Sequence, residues 1–215
     1  MKDSKTRLLQ TAFELFALKG LDGVSTREIV KKAGVNIHAI SYYFGGKDGL
    51  YEAVVDYLIN TMREESKDFL HFNEYRLKVD SLNKEETLNL LLKGIEELID
   101  FDFVPKNNKV VLFLTREELN PTKYNKKFYE ALIIPLQEFI LKCICKITGM
   151  QENEPKTLIL SHMIMAQIIR FGRAKRYLLK NLKKGGCDVD MVKLVKEMTF
   201  TNAKAILKQY TKEDK

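Results

Sequence analysis

The chain has 215 residues, of which 45% are hydrophobic and 30% charged, with only 4 Pro and 11 Gly. The length excludes a multi-enzyme chain, and the apolar content excludes an intrinsically disordered one. A net charge of +7 is compatible with a polyanionic partner such as DNA but does not establish one. The scarcity of proline and glycine favours long helices, so we expect an all-α fold.

No segment has the features of a targeting signal or a membrane span. The longest uncharged apolar stretch, Thr157 to Ile169, contains Ser161, His162 and Gln167 and is shorter than the roughly 20 residues that a spanning helix needs. Cys143, Cys145 and Cys187 form no metal-binding or disulfide pattern, so we expect reduced thiols. These features predict a cytoplasmic protein without a membrane partner.

The first two helices have clear boundary signals. Apolar residues recur at helical spacing from Lys5 to Lys19, and Gly20 follows where a helix ends. Ser25 and Glu28 then form a capping box, in which the Ser25 hydroxyl accepts from the Glu28 amide and the Glu28 carboxylate reaches back. The second helix is therefore predicted to begin at Thr26 and to end at Gly34.

A third, short helix is predicted from Ile37 to Phe44, with Asn36 as its cap. Ile37, Ile40 and Phe44 recur at helical spacing and are expected to face inward. The opposite face carries side chains that can donate hydrogen bonds: His38, Ser41 and Tyr42. Two short helices joined across a glycine turn form a helix-turn-helix, whose second helix can enter the DNA major groove. The alternative is an ordinary αα-hairpin of a helical bundle.

The rest of the chain is predicted to be helical as well. A proline at position 135 is expected to kink or break one of these helices, because it lacks an amide and its ring clashes with the preceding turn. The predicted helices are Lys47 into the sixties, Lys84 to Ile99, Val110 to Leu119, Tyr124 to Thr148, Pro155 to Gly172 and Val189 to Gln209.

Three motifs within residues 8–55 occur together at a fixed spacing. They are A-x-x-L-F-x-x-K-G, then T-x-x-I-x-x-x-A-G-V, then Y-F-x-x-K-x-x-L. In this set the chain closely resembles the N-terminal domain of the TetR/AcrR family of bacterial transcriptional regulators. The resemblance implies a three-helix DNA-binding domain over residues 1–50 and a helical effector-binding and dimerisation domain over residues 51–215. It also implies that the protein is not an enzyme and has no cofactor, catalytic residue or metal site.

The resemblance also assigns DNA contacts to particular positions. The start of the second helix is where the family contacts phosphates, and the third helix is where it meets bases and backbone. Tyr43 and Lys47 match a tyrosine and a lysine that contact phosphates in the family. Ser41 stands where the commonest family pattern has Tyr, so the operator sequence stays open. The predicted DNA-binding residues are Ser25, Thr26, Arg27, Asn36, Ile37, His38, Ala39, Ser41, Tyr42, Tyr43 and Lys47. Lys31 and Lys32 are assigned to a solvated face instead.

For the C-terminal body, the resemblance implies a pocket for a small-molecule effector, which we expect to be largely apolar. It also implies a homodimer formed through helices 155–172 and 189–209, as a pseudo-palindromic operator requires. Polar residues embedded in apolar runs are the candidate effector contacts, although each of them also suits an ordinary core or surface position. They are His71, Arg116, His162, Gln167 and, as an apolar member, Met163.

The favoured function is a ligand-responsive repressor that binds double-stranded DNA as a homodimer. An activator of the same fold is an alternative, because the position of the operator decides the sign of regulation. A dimer that binds DNA without sequence preference is a second alternative. An enzyme has no support, since the sequence contains no phosphate-binding glycine loop, zinc-protease motif or nucleophile elbow.

Overall fold

The computed structural model describes residues 3–64, 71–103, 107–183, 185–186 and 188–211, without the side chains of residues 63–64 and 172–176. Every regular element in these ranges is helical, as the sequence predicts. The chain divides into two compact units. Unit 1 comprises Met1–Glu65 and Lys106–Ala131, and unit 2 comprises Ser66–Pro105 and Leu132–Lys215.

Unit 1 combines the N-terminal helices with a segment from the middle of the chain. Its helices are α1 (Ser4–Lys19), α2 (Thr26–Ala33), α3 (His38–Phe44), α4 (Lys47–Glu64), α7 (Asn108–Leu119) and α8 (Asn125–Phe128). The ring of Phe113 on α7 lies at the centre of an aromatic cluster. Its centroid is 6.3 Å from that of Phe13, 5.5 Å from that of Tyr51 and 6.4 Å from that of Phe128. This cluster joins α7 to both α1 and α4, so α7 completes the core around the N-terminal helices.

Arg116 fastens the other side of α7 to the end of α1. Its Nε donates to the carbonyl oxygen of Ala17 over 2.8 Å, and its Nη2 donates to that of Leu18. The last carbonyls of a helix have no partner within the helix, so the guanidinium caps α1.

Unit 2 contains the remaining helices. They are α5 (Phe72–Lys78) with a 3₁₀ turn (Val79–Ser81), α6 (Lys84–Phe103), α9 (Ile134–Thr148), α10 (Pro155–Asn181) and α11 (Val189–Tyr210). Helices α5 and α6 pack on α9, and both α10 and α11 pack on α6 and α9. The buried residues Leu91, Ile95, Phe139, Ile164 and Val195 come from four of these helices and form one hydrophobic cluster.

Some predicted helix boundaries differ from the observed ones. Helix α10 continues to Asn181, well beyond the predicted end at Gly172, because an interior glycine disfavours a helix by only about 1 kcal/mol and does not by itself end one. The third helix begins at His38 rather than Ile37. The interruption expected at Pro135 is confirmed: a π-helical turn (Tyr129–Ile133) precedes it, and the proline occupies the first turn of α9, where no amide is needed.

The two described cysteines lie on α9. Cys143 is buried and Cys145 is half-buried, and burial raises the pKa of both thiols above the ordinary range. They are free thiols with the character of small apolar residues. The third cysteine, Cys187, lies outside the described residues.

Gly94 on α6 lies against two buried aromatic rings, those of Phe139 on α9 and Phe72 on α5. A Cβ atom at this position would lie 2.7 Å from the ring of Phe139 and 3.1 Å from that of Phe72. Helix propensity alone would favour alanine by about 1 kcal/mol. We nevertheless expect Gly94→Ala to lower the free energy of unfolding by about 1–2 kcal/mol, because overpacking a buried ring outweighs that gain. Urea titration followed by circular dichroism measures the change.

The matched control is Gly186→Ala. A Cβ atom at Gly186 would meet no atom within 4 Å, so this variant should keep the stability of the wild type. A stabilised Gly94→Ala protein would contradict the close packing of α6 on α9.

Candidate nucleic-acid interface

The start of α2 is built as an anion-binding helix terminus. The Ser25 hydroxyl accepts from the Glu28 amide over 3.1 Å, which confirms the predicted cap. The expected return contact of the Glu28 carboxylate is wrong, because this carboxylate pairs with Lys19 at 2.6 Å instead. The amides of Thr26 and Arg27 are the first of the helix and have no acceptor within it. Together with the exposed Arg27 side chain, they are suited to a phosphate group.

The turn between α2 and α3 is set by local hydrogen bonds. Gly34 adopts a left-handed conformation (φ 65°), its amide contacts the Lys31 carbonyl, and the Val35 amide donates to the Val30 carbonyl over 3.1 Å. This is a Schellman motif, which a glycine at this position favours. The Asn36 side chain accepts from the His38 amide over 2.9 Å, but the N-cap position of α3, predicted at Asn36, is occupied by Ile37.

Helix α3 presents a polar face to solvent. Ile40 is buried, with 1% of its surface exposed, and anchors the helix. Tyr42 is 82% exposed, and its ring meets that of Tyr43 edge-on at 4.9 Å. The other side chains of this face are also exposed: Asn36, His38 and Ser41. Ala39 is half-buried. An exposed tyrosine pair on a seven-residue helix provides hydrogen-bonding groups and contact area without adding charge.

Ile37 corrects one expectation. It was predicted to face inward with Ile40, but 42% of its surface is exposed. The reason is its position at the N-cap of α3, where no earlier helical turn covers the side chain. The exposed Ile37 adds an apolar contact to the polar face of α3, of the kind that meets a thymine methyl group.

The described cations of unit 1 differ in whether they form ion pairs. Five lysines are paired with carboxylates as follows: Lys19 with Glu28, Lys32 and Lys109 with Glu14, Lys123 with Asp48, and Lys127 with Asp56. By contrast, Arg27, Lys31 and Lys47 have no ion pair with a described acidic residue. An unpaired cation needs no rearrangement to meet a phosphate group. Lys31 was assigned to a solvated face from the sequence, and the structure adds it to the candidate interface.

Helix α4 is held in place by a buried carboxylate. Glu117 on α7 is only 2% exposed, and it accepts from the Tyr51 hydroxyl, from the Thr122 amide at 3.3 Å and from the Thr122 hydroxyl at 3.1 Å. Burial and the neighbouring Glu117 carboxylate raise the pKa of Tyr51 far above its ordinary value. The Tyr51 hydroxyl therefore stays protonated and donates to Glu117 at any physiological pH.

Surface contacts extend this attachment of α4. Lys123 pairs with the Asp48 carboxylate at 2.7 Å, and the Tyr124 hydroxyl donates to the Asp48 carbonyl over 3.1 Å. Tyr51 and Glu117 were not predicted as functional residues, and 65 residues separate them in the sequence. One signal was present, because Glu117 follows Phe113 by four positions and so lies on the apolar face of α7.

The five candidate effector contacts do not form one cluster. Arg116 lies in unit 1 and caps α1, whereas the other four lie in unit 2. His162 and Met163 are exposed on α10, and the Gln167 side chain contacts the Met163 carbonyl at 3.5 Å. His71, at the start of α5, is the candidate that lies beside the core, and its ring centroid is 5.7 Å from that of Tyr75.

Two features bear on other functions. Within the described ranges, no three His, Cys, Asp or Glu side chains lie close enough together to hold a metal ion. None of the described helices combines the length and apolarity needed to cross a membrane.

Comparison with known proteins agrees with this geometry. Residues 8–54 match the model of the bacterial regulatory proteins of the tetR family, and residues 91–209 match that of the C-terminal domain of the HTH-type transcriptional dual regulator CecR. The chain belongs to the TetR family. It is thus a transcriptional regulator with a DNA-binding helix-turn-helix.

Individual relatives are distant, and the matches cover from about three quarters to nearly all of the chain. The chain is 25% identical to CecR of Shigella flexneri over 96% of its own length and 92% of that protein. It is 26% identical to the probable regulator YttP of Bacillus subtilis, over 75% of the chain and 72% of that protein. The structure resembles the ketosteroid transcriptional regulator KstR2 of Mycobacterium tuberculosis, with a TM-score of 0.60 at 16% identity over 99% and 97% of the two chains. This last likeness concerns the fold alone.

The unpaired cation Lys47 of this TetR-family protein allows a test of contacts between lysine side chains and DNA phosphates. We expect Lys47→Ala to weaken DNA binding about equally on all sequences, because a phosphate contact carries no base information. For a symmetric dimer, the slope of log K against log salt concentration should fall by about two, since each lost contact removes about one released counterion. Fluorescence anisotropy at several salt concentrations measures this slope.

The control for Lys47→Ala is Lys32→Ala. Lys32 is exposed but paired with Glu14 at 3.1 Å, so removing it should change the slope much less. Equal slopes for the Lys47→Ala and wild-type proteins would exclude Lys47 from the interface.

Proposed function

We propose that the protein is an effector-released repressor that binds a pseudo-palindromic operator as a homodimer. The observation that carries the proposal is the exposed face of α3, on which Tyr42 is 82% exposed beside His38 and Ser41. These groups can donate to base edges in the major groove, while the start of α2 and Lys47 contact the flanking phosphates.

Two exposed apolar stripes support the homodimer. Ile159 and Met163 on α10 are 60% and 53% exposed, and Leu194 and Met198 on α11 are 54% and 55% exposed. Each pair is separated by four positions and lies beside, not within, the buried stripe of its helix. Exposed apolar side chains in such rows are typical of an interface between subunits. The same two helices are those that the sequence analysis assigns to dimerisation.

For the effector response, we propose that α4 carries the signal. Helix α4 is the last element of unit 1 before the chain continues into unit 2. The N-terminal half of α4 is held by Glu117 and Lys123 of unit 1. An effector that binds better to a second position of α4 changes the spacing of the two recognition helices, which must match major grooves about 34 Å apart. A differential affinity of about 1–3 kcal/mol is enough for a moderate switch.

An activating role is the second candidate for this protein. The relative CecR is named a dual regulator, and its C-terminal domain model matches residues 91–209 of the chain. The same DNA-binding geometry serves both signs of regulation, because the position of the operator relative to the promoter decides between them.

The experiment that tests the proposal is a selection of bound sequences from random duplex DNA by the purified protein at two salt concentrations. We expect an enriched pseudo-palindrome with half-sites about one helical turn apart. Binding without an enriched sequence that only follows salt concentration would contradict the proposal and indicate a non-specific DNA-binding dimer.

The homodimer has a separate test. We expect Met198→Glu to raise the dimer dissociation constant at least about tenfold, because two-fold symmetry places two unpaired carboxylates in the apolar interface. Sedimentation velocity over a concentration series measures it. Leu77→Glu is the control, since Leu77 is 70% exposed on α5, outside the proposed interface. A Met198→Glu protein that stays dimeric would place the interface elsewhere.

A further inference from the structure

Two polar atoms in unit 2 face each other without a hydrogen bond. His71 Nδ1 and Glu97 Oε2 are both screened from solvent, neither has a hydrogen-bond partner, and they lie 3.9 Å apart. This separation is too long for a direct hydrogen bond in either tautomer of the histidine. The other carboxylate oxygen, Glu97 Oε1, accepts from the Tyr75 hydroxyl over 2.5 Å. The carboxylate is therefore held in place while one of its oxygens stays unsatisfied.

The geometry of the gap fits a donor with two hydrogens, such as a water molecule or an amine, and charge distinguishes between them. A nitrogen atom placed about 2.8–2.9 Å from both atoms would see them at an angle of about 85–90°, close enough to the tetrahedral angle for two nearly straight N–H bonds. A primary ammonium group has the required hydrogens, and its charge complements the Glu97 carboxylate. A hydroxyl group offers a single hydrogen. A carboxylate or phosphate would be repelled.

The walls around this pair are aromatic. Phe72 and Tyr75 are both buried, with ring centroids 6.2 Å apart, and the ring of His71 is tilted against that of Tyr75. The side chains of His71 and Glu97 are 33% and 21% exposed, so the pair lies at an edge of the core that opens to solvent. An apolar body can rest against these rings while its polar end reaches the two atoms.

One cation of the chain itself is a competitor. Lys93 precedes Glu97 by one helical turn, but its Nζ lies 5.4 Å from the centroid of the Tyr75 ring instead of pairing with the carboxylate. The carboxylate of Glu96, one position before Glu97 on the helix, is bound by Lys196 at 3.0 Å. Glu97 is thus the carboxylate on this part of α6 that has an oxygen left for an incoming cation.

We infer that His71 and Glu97 form the polar end of the effector site and bind the primary ammonium group of an otherwise apolar, aromatic ligand. Tyr75 positions the carboxylate and provides one wall. This inference rests on the proposed effector-responsive function and specifies the chemical class of the effector.

The probe is benzylamine, titrated into the full-length protein at pH 7.5 by calorimetry. Benzyltrimethylammonium, with the same charge but no N–H group, and benzyl alcohol are compared with it. We expect benzylamine to bind the wild type at least tenfold more tightly than either of the other two ligands.

The variants test which residues bind the amine. Glu97→Gln should bind benzylamine at least tenfold more weakly than the wild type does. This substitution keeps the size of the side chain and an acceptor for Tyr75. Glu96→Gln, one position earlier on the same helix, is the matched control and should bind like the wild type. Lys93→Met, which removes the competing cation, should bind benzylamine at least as tightly as the wild type.

The inference is overturned if benzylamine does not bind the wild type, or if the Glu97→Gln and Glu96→Gln variants bind it equally. Equal binding of benzylamine and benzyltrimethylammonium would overturn the hydrogen-bonded bridge. The sequence preference of each variant is measured in parallel, without amine. A wild-type protein that keeps its operator preference but does not bind benzylamine rejects this subsite alone, whereas a wild-type protein without any operator preference rejects the proposed function.

Discussion

Tyr42→Ala is expected to abolish specific operator binding while leaving the protein folded. Tyr42 is 82% exposed and its only described contact is the edge-on ring of Tyr43, so its removal costs the fold little. A good base contact contributes about 1–3 kcal/mol of discrimination. A symmetric dimer loses two such contacts, which corresponds to a loss of about 30-fold to more than 10⁴-fold in affinity.

The measurement is binding to the selected operator and to a scrambled duplex of the same length. Affinity for the operator should fall toward that for the scrambled duplex, with the salt dependence nearly unchanged, because the phosphate contacts remain. Tyr42→Phe separates the contribution of the hydroxyl from that of the ring. Leu119→Ala removes another exposed apolar side chain of unit 1, 73% exposed, and should bind like the wild type. An unchanged operator preference of the Tyr42→Ala protein would show that Tyr42 does not contribute to base recognition.

Glu117→Ala is expected to lower the free energy of unfolding by about 3 kcal/mol. The substitution leaves the buried Tyr51 hydroxyl and the two donors of Thr122 without their acceptor, and each buried unsatisfied group costs about 1–3 kcal/mol. Because the chain contains no tryptophan, circular dichroism is the appropriate signal for urea unfolding. The control is Glu130→Ala, which removes an exposed carboxylate whose nearest cation, Lys126, is 3.8 Å away. Equal stability of the two variants would contradict the role of Glu117.

The Tyr51–Glu117 contact also makes the free energy of unfolding depend on pH in the alkaline range. The folded protein keeps Tyr51 protonated above its ordinary pKa of about 10, whereas the unfolded chain loses that proton there. The unfolded state then binds fewer protons, so stability falls as the pH rises above about 10. Tyr51→Phe should flatten this decline. Tyr75, whose pKa is raised by burial and by Glu97, contributes a further part that Tyr51→Phe leaves in place.

The sequence predicted local structure well because its signals are local. The cap at Ser25, the left-handed turn at Gly34 and the interruption near Pro135 each depend on a few neighbouring residues, and all three are confirmed. By the same reasoning, the exposed face of α3 was predicted from helical periodicity. The prediction that Ile37 faces inward was wrong, because periodicity does not account for the missing turn before the start of a helix.

Contacts between distant parts of the chain were beyond this reasoning. The pairing of Glu117 with Tyr51, and of Glu97 with His71, depends on how separate helices pack, which spacing along one helix does not specify. The same limit applies to Arg116, whose place in an apolar run suggested an effector contact although its guanidinium caps α1. The packing of separate helices also decides which lysines form ion pairs with carboxylates, so these pairs were not predicted from the sequence.

The two-segment composition of unit 1 limits how this regulator can be taken apart. A fragment consisting of only the first 65 residues would lack Phe113, Arg116 and Glu117. One side of its aromatic cluster would be exposed, and the end of α1 would be uncapped. Chimeric regulators that combine the operator preference of this protein with the effector range of another should therefore exchange residues 107–131 together with the N-terminal segment. The natural unit of recombination is a pair of sequence blocks, not a contiguous domain.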